Sequence, residues 1–229
     1  MKSLIIGKGE IGKSLYNVLT EVYDTEIRDI GDLRADNIEI LHICFPYSKD
    51  FIKQVQGYKA EYKPRFTIIH STVPVGTTRK CGAYHSPIRG IHPYLEKSLK
   101  IFVKYLAPKN KELENYFNYA DIPIYPVSKP EITEAMKLYC TTIYGLNIIA
   151  EKEMYDFCKK NKLDYKIVYR MCNDTYNCGY EKLGFPNFKK YVLEHKKGGI
   201  GGHCIIPNCK FLNTPIAKFI IKENKKYVG

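Results

Sequence analysis

Apolar residues fall into two rhythms along the first half of the chain. Short uniform runs, "SLIIG" (3–7), "EILHICFP" (39–46) and "FTIIHST" (66–72), alternate with stretches of helical spacing. In "KSLYNVLTEV" the apolar positions Leu15, Val18, Leu19 and Val22 recur every three or four residues, which predicts an amphipathic helix. Further strands are predicted over "DTEIRD" (24–29), "GAYHSP" (82–87), "IFVKYL" (101–106) and "IPIYPV" (122–127), with helices over 48–62 and 110–120. Strands separated by helices imply a mostly parallel sheet covered on both faces, in a Rossmann-type domain over 1–128. From Lys129 the pattern turns helical. No proline interrupts the chain after Pro130 for about 30 residues, enough for a helix of roughly 45 Å. Two more helices are predicted, near 165–178 and over "PIAKFIIKENKKYV". The fold class expected is α/β, with the long central helix opening a small all-helical domain over 129–229.

The turn after the first strand reads Gly7-Lys8-Gly9-Glu10-Ile11-Gly12. A strand, a GxGxxG turn and a helix in that order form a dinucleotide fingerprint. Its glycines permit a tight turn and close approach of a pyrophosphate to the helix N-terminus. Gly7, Gly9, Glu10, Ile11 and Gly12 are therefore candidate cofactor contacts. An acidic residue is expected about 20 residues on. Asp29 takes that place at the end of the second strand, with Asp24 the competing choice at its start. A carboxylate there would accept bonds from a ribose diol and repel a 2′-phosphate, favouring NAD over NADP, although the neighbouring Arg28 weakens that exclusion. Ligands in such sheets sit at the carboxyl ends of strands. This adds Pro46 in "CFP", and Ser71 and Thr72 in "HSTVPVGTT".

A second glycine cluster, "GGIGGHCIIPNC" (198–209), brings a permissive backbone to Cys204. Glycines allow close approach to a ligand, at an entropic cost, but also mark plain loops.

Composition narrows the functions. The formal net charge of +12 favours an anionic ligand, yet lysines are spread along the chain with no block of five like charges, so no nucleic-acid partner is expected. No run of about 18 uncharged apolar residues appears, and the N-terminal apolar run is broken by glycine, so neither membrane span nor signal peptide is expected. The eight cysteines form no CxxC pair and the histidines are scattered, which argues against zinc. Several cysteines lie in apolar patterns. A reduced, cytoplasmic protein without a metal is expected.

Four segments together resemble the UDP-glucose/GDP-mannose 6-dehydrogenase family. They are "GKGEIG" at the N-terminus, "HSTVPVGTT" (70–78), the helix "EAMKLYCTTIYGLNIIAEKEM" with Lys137, Asn147, Ile148 and Glu153 in the family's spacing, and "GGIGGHCIIPN". The likeness runs over essentially the whole sequence, without a counterpart of the family's third domain, which grips the nucleotide half of the substrate. It implies an NAD-dependent enzyme that oxidises a primary alcohol twice, through a thiohemiacetal and a thioester on cysteine. By resemblance Cys204 is the nucleophile, Lys137 stabilises oxyanion charge, and Thr72 orients water or the substrate oxygen. The glycines Gly201 and Gly202 would wrap the sugar.

Three positions depart from the family. Ile88 in "HSPIRG" stands where the family has a carboxylate linked to thioester hydrolysis, Thr141 replaces an asparagine, and Asn208 replaces an aspartate. Ile88 cannot transfer a proton. His85, Arg89 and His92 are candidates to take over, and with Thr141 and Asn208 they complete the expected substrate-binding set. The substrate would be a sugar, sugar phosphate or nucleotide sugar. Two alternatives stay open: a single-hydride dehydrogenase of the 6-phosphogluconate or β-hydroxyacid type with Lys137 as acid–base, and a non-catalytic NAD- or nucleotide-sugar-binding protein. A homodimer is expected through the stripe Met136, Tyr139, Cys140, Ile143, Leu146, Asn147 and Ala150 on the long helix.

Overall fold

The computed structural model describes residues 1–29, 36–202 and 204–228. The chain forms two compact units, Met1–Lys137 and Leu138–Gly229. The division falls inside the long helix rather than before it.

In the first unit, strands β1 (Lys2–Ile6), β2 (Asp24–Arg28), β3 (Ile40–Ile43), β4 (Phe66–Ile69) and β5 (Tyr84–His85) form a five-stranded sheet in the order β2-β1-β3-β4-β5. Every pairing is parallel. The chain steps outward from β1 to β2 and then crosses to β3 on the other side of β1. The β1/β3 boundary is thus the point where the winding direction reverses, the place where ligands bind in such sheets. Helices α1 (Glu10–Leu19), α2 (Phe51–Tyr62) and α3 (Thr77–Cys81) connect these strands.

Both faces of the sheet are covered, which explains why its strands read as unbroken apolar runs. Ile5, Ile40 and Ile68 pack with Leu15 and Leu19 of α1 and with Leu113 and Phe117. On the opposite face Leu4, Ile6, Leu41, Ile43 and Ile69 pack with Phe51 and Val55 of α2.

The segment 101–106 corrects the strand expected there. Helix α4 (Leu95–Ile101) takes its start, and only Lys104–Leu106 is extended, as β6. Leu95 and Leu99 bury one side of α4 against α1, an amphipathic pattern that a six-residue window of apolar residues hides. After α5 (Lys111–Tyr119), capped by the Asn110 side chain accepting from the Leu113 N–H, β7 (Ile124–Pro126) pairs with β6 in a separate two-stranded parallel sheet. That sheet reaches β5 through an antiparallel bridge between His85 and Ala107.

Helix α6 spans Pro130–Lys160, 31 residues as expected from the uninterrupted pattern. Its first turns belong to the first unit. The rest belongs to the second, with a π-helical stretch (Lys166–Met171), α7 (Cys172–Lys182), a 3₁₀ turn (Pro186–Phe188), α8 (Ile205–Leu212) and α9 (Pro215–Asn224). Helix α8 was not foreseen. Pro207 lies in its first turn, where a missing N–H costs no intrahelical bond. A small core of Ile149, Ile205, Cys209, Ala217 and Ile220 holds this unit, and Gly145 makes it possible: a Cβ there would meet Ile205 at 2.6 Å. All eight cysteines are free. Among the described residues, no helix is long and apolar enough to cross a membrane, and no cluster of histidine, cysteine and carboxylate side chains could hold a metal ion.

Candidate functional site

The turn from β1 to α1 needs its glycines for separate reasons. Gly7 has φ +115°, and a Cβ there would lie 2.9 Å from the backbone of Cys44 and Phe45, so the turn passes directly over the end of β3. A Cβ on Gly12 would stand 1.8 Å from the Gly7 carbonyl oxygen, which fixes α1 tightly against the turn. Gly9 differs. It is exposed, nothing lies within 4 Å of its Cβ direction, and no side chain caps the helix it begins. The first-turn N–H groups at Glu10, Ile11 and Gly12 lack intrahelical acceptors and face that open space. This is the donor set and clearance that a pyrophosphate requires, so the turn fits a dinucleotide.

Asp29 follows β2 beside this turn, and its charge reaches Tyr58 of α2. Arg28 is engaged with Glu26 on the same strand, Nε donating to Oε2 at 3.1 Å. Lys2 bonds the same carboxylate at 2.8 Å, and the two cations hold the Glu26 carboxyl below the usual range. Glu10 carries an exposed carboxylate 3.0 Å from Nε2 of His92. Pro46 is exposed just past β3.

Past the ends of β4 and β3, Ser71 donates its hydroxyl to the Phe45 carbonyl at 2.6 Å, stapling the two strand ends together. Thr72 follows, half-buried. The succeeding loop is fixed by a residue that pattern reading passed over. Glu134, fully buried on α6, accepts from the Gly76 N–H at 2.6 Å and the Thr78 N–H at 2.8 Å, capping α3. Its only sequence signal is a carboxylate one turn into a helix whose neighbours are apolar.

His85 does not reach a ligand space. It is fully buried, Nδ1 lies 2.7 Å from the Thr133 hydroxyl and Nε2 lies 3.3 Å from the Ser71 carbonyl, and burial lowers its pKa to about 3. Both ring nitrogens are occupied, so the substrate-binding role expected for it is corrected to a structural one that ties α6 to the sheet. Ile88 is buried in the core while its carbonyl accepts from Lys137 Nζ at 2.8 Å. Arg89 lies over the rings of Phe102 and Tyr105, 5.9 and 5.7 Å from their centroids.

In the second unit, Gly198 and Gly202 take positive φ of 83° and 76°. Gly199 lies against Asn224 at the end of α9 and Val228 beyond it, where a Cβ would come within 3.1 and 2.5 Å, and the Ile200 N–H bonds Asn224. Gly201 and Gly202 instead face open space and are exposed. Cys204 follows as the N-cap of α8, exposed. One turn on, Asn208 is buried and donates Nδ2–H to Thr141 Oγ1 at 2.9 Å, while Thr141 donates to the Leu138 carbonyl at 3.0 Å. Thr141 and Asn208 are thus bonded to each other, a neutral pair.

No family model matches the sequence, and no curated protein does either. Solved structures do share its fold. A UDP-D-ManNAc dehydrogenase from Pyrococcus horikoshii is similar with a TM-score of 0.78 at 14% identity, over 99% of this chain and 69% of that one. A UDP-glucose dehydrogenase from Pyrobaculum islandicum is similar with a TM-score of 0.72 at 14% identity, over 98% of this chain and 68% of that one. A 3-hydroxyisobutyrate dehydrogenase from Mycobacterium tuberculosis gives 0.72 at 11% identity, over 99% and 93%. With its parallel sheet, glycine turn and long α6, the chain has the fold of the nucleotide-sugar dehydrogenases, spanning about two thirds of the length of those two.

Proposed function

We propose that the protein is an NAD-dependent dehydrogenase that oxidises the primary alcohol of a sugar, sugar phosphate or nucleotide sugar. The observation that carries this reading is the β1–α1 turn: Gly7 and Gly12 close it tightly, and Gly9 leaves open the space a pyrophosphate needs, at the point where the sheet reverses its winding. Gly7, Gly9, Glu10, Ile11 and Gly12 would hold the pyrophosphate, Asp29 the ribose diol, and Pro46, Ser71 and Thr72 the rim at the strand ends. Arg28 is turned to Glu26, which supports NAD rather than NADP. When bound, NAD would supply the hydride acceptor.

The chain's own residues supply the rest. Cys204, exposed at the start of α8, adds to the aldehyde carbon to form a thiohemiacetal. Lys137, a cation steadied by the Ile88 carbonyl, stabilises the negative charge that develops on the sugar oxygen. Gly201 and Gly202 leave room for a sugar to approach the backbone. Arg89 and His92 would contribute cationic or hydrogen-bonding groups toward an anionic substrate. Thr141 and Asn208 carry no carboxylate, so neither can act as general base toward water.

The fold match to a 3-hydroxyisobutyrate dehydrogenase, which this chain spans over 93% of its length, favours a second reading: one hydride transfer, with Lys137 as acid–base and no role for Cys204. The experiment is NADH formation across UDP-sugars, GDP-mannose, sugar phosphates and β-hydroxyacids. Two NADH per sugar support the first reading and one per hydroxyacid the second. NAD binding without turnover supports a non-catalytic binding protein.

A further inference from the structure

A chain of polar side chains runs through the sheet of the first unit and ends beside the strand ends that carry Ser71 and Thr72. Ser3 Oγ lies 2.8 Å from Tyr116 Oη, Tyr116 Oη lies 3.1 Å from His42 Nε2, and His42 Nδ1 lies 2.9 Å from His70 Nε2. His70 Nδ1 then lies 2.8 Å from the Ser86 carbonyl oxygen and 3.1 Å from Lys104 Nζ, which also donates to that carbonyl. All five side chains are buried.

With both rings neutral, the bonds along this chain run in one of two directions. A carbonyl oxygen only accepts, and two acceptors 2.8 Å apart repel. The short His70–Ser86 contact therefore places the ring proton on Nδ1 of His70. Nε2 must then accept from Nδ1–H of His42, Nε2 of His42 from the Tyr116 hydroxyl, and Tyr116 from Ser3. Every bond points toward Ser86. An ammonium on Lys104 would confront the Nδ1–H of His70, so this direction requires a neutral amine whose lone pair faces that N–H. With Lys104 protonated, Nζ must donate to both Nδ1 and the Ser86 carbonyl. Each ring proton then sits on Nε2, and the bonds point the other way.

We infer that this chain is a proton-linked switch, in which one proton gained at Lys104 reverses every hydrogen bond from Ser86 back to Ser3. The rings stay neutral throughout, each exchanging Nδ1–H for Nε2–H, and the one proton taken from solvent resides on Nζ. His70 Nδ1 and the Ser86 oxygen, now both acceptors, must move apart, which shifts the end of β5 two residues before Ile88, the residue whose carbonyl holds Lys137. The ionisable groups facing the chain are Cys44 beside Lys104, Tyr23 beside Tyr116, His85 beside His70, and Lys137. No carboxylate is among them, and burial keeps Lys104 well below its ordinary range. The Phe117 ring, 5.8 Å from Nζ, the Ser86 carbonyl and Cys44 favour the cation and keep the second state within reach.

The test is nitrogen NMR of the full chain labelled at histidine, followed from neutral to acidic pH. Expected are Nδ1–H tautomers on both His42 and His70 at neutral pH, replaced together by Nε2–H with a single midpoint. Lys104→Met should hold both rings as Nδ1–H through that range. If that variant does not fold, Tyr116→Phe should move the midpoint, because it removes the hydroxyl that donates to His42 Nε2 in one state and accepts from it in the other; an unmoved midpoint would overturn the inference. Opposite tautomers at neutral pH, rings that charge independently, or unfolding with both rings still Nδ1–H would each overturn the inference.

Discussion

Single residues decide the candidate cofactor turn. Gly12→Ala would place a methyl group 1.8 Å from the Gly7 oxygen, so α1 must shift, at a cost of about 1–3 kcal/mol for overpacking. Expected are a lower urea midpoint and loss of NAD binding by calorimetry. Gly9→Ala meets nothing and should leave stability within about 0.5 kcal/mol while still weakening NAD. Asp29→Ala should narrow the preference for NAD over NADP, and comparable affinities in the unmodified protein would sink that assignment. Buried histidines set the acid response. His42 and His85 have pKa values lowered by burial to about 3, against 6.5 in the unfolded chain. The unfolded state takes protons first, so the stability that these two rings contribute is held above about pH 6.5 and falls as pH drops toward the folded values. The slope is about 1.4 kcal/mol per pH unit for each histidine. Urea midpoints measured against pH should show this, with His42→Gln flattening the slope.

At the scale of elements, the capping of α3 by Glu134 is the clearest long-range tie in the first unit. Glu134→Ala leaves two N–H groups without their acceptor and should cost about 2–4 kcal/mol in chemical denaturation. Glu134→Gln keeps one acceptor oxygen and should cost less. The elements differed in how legible they were. The β1 strand, glycine turn and α1 stood out because each is specified locally, by an apolar run, by glycine geometry and by helical spacing. The 31-residue α6 was legible because nothing in its sequence breaks a helix. The strand expected over 101–106 shrinks to Lys104–Leu106 because Ile101 closes α4, a short helix whose few apolar positions, Leu95 and Leu99, are set by packing on α1. The His42–His70–Lys104 chain left no signal, since alternate positions in buried strands look alike whether they meet lipid-like neighbours or one another. His85 was misplaced for the same reason: proximity to a strand end does not reveal which way a ring points.

For the molecule as a whole, the exposed apolar surface speaks for self-association. Tyr139, Ile143 and Tyr144 on α6 are 44–45% exposed, and neither the π-helical stretch nor α7 buries a single residue. A homodimer is expected, with a mass in solution twice the 26.5 kDa of the chain, and a monomer at micromolar concentration would contradict it. The neutral Thr141–Asn208 pair and the buried Ile88 bear on chemistry rather than assembly. If Cys204 is the nucleophile, release of an acyl group to water lacks the carboxylates that general base catalysis draws on, a deficit of about 10²–10⁴ in rate. Mass spectrometry of the protein incubated with NAD and the panel of sugar substrates measures this directly. The expected result is NADH formation with a mass increase confined to the peptide containing Cys204, absent in Cys204→Ser. NADH formed at an undiminished rate by Cys204→Ala, with no adduct on the unmodified protein, would contradict it.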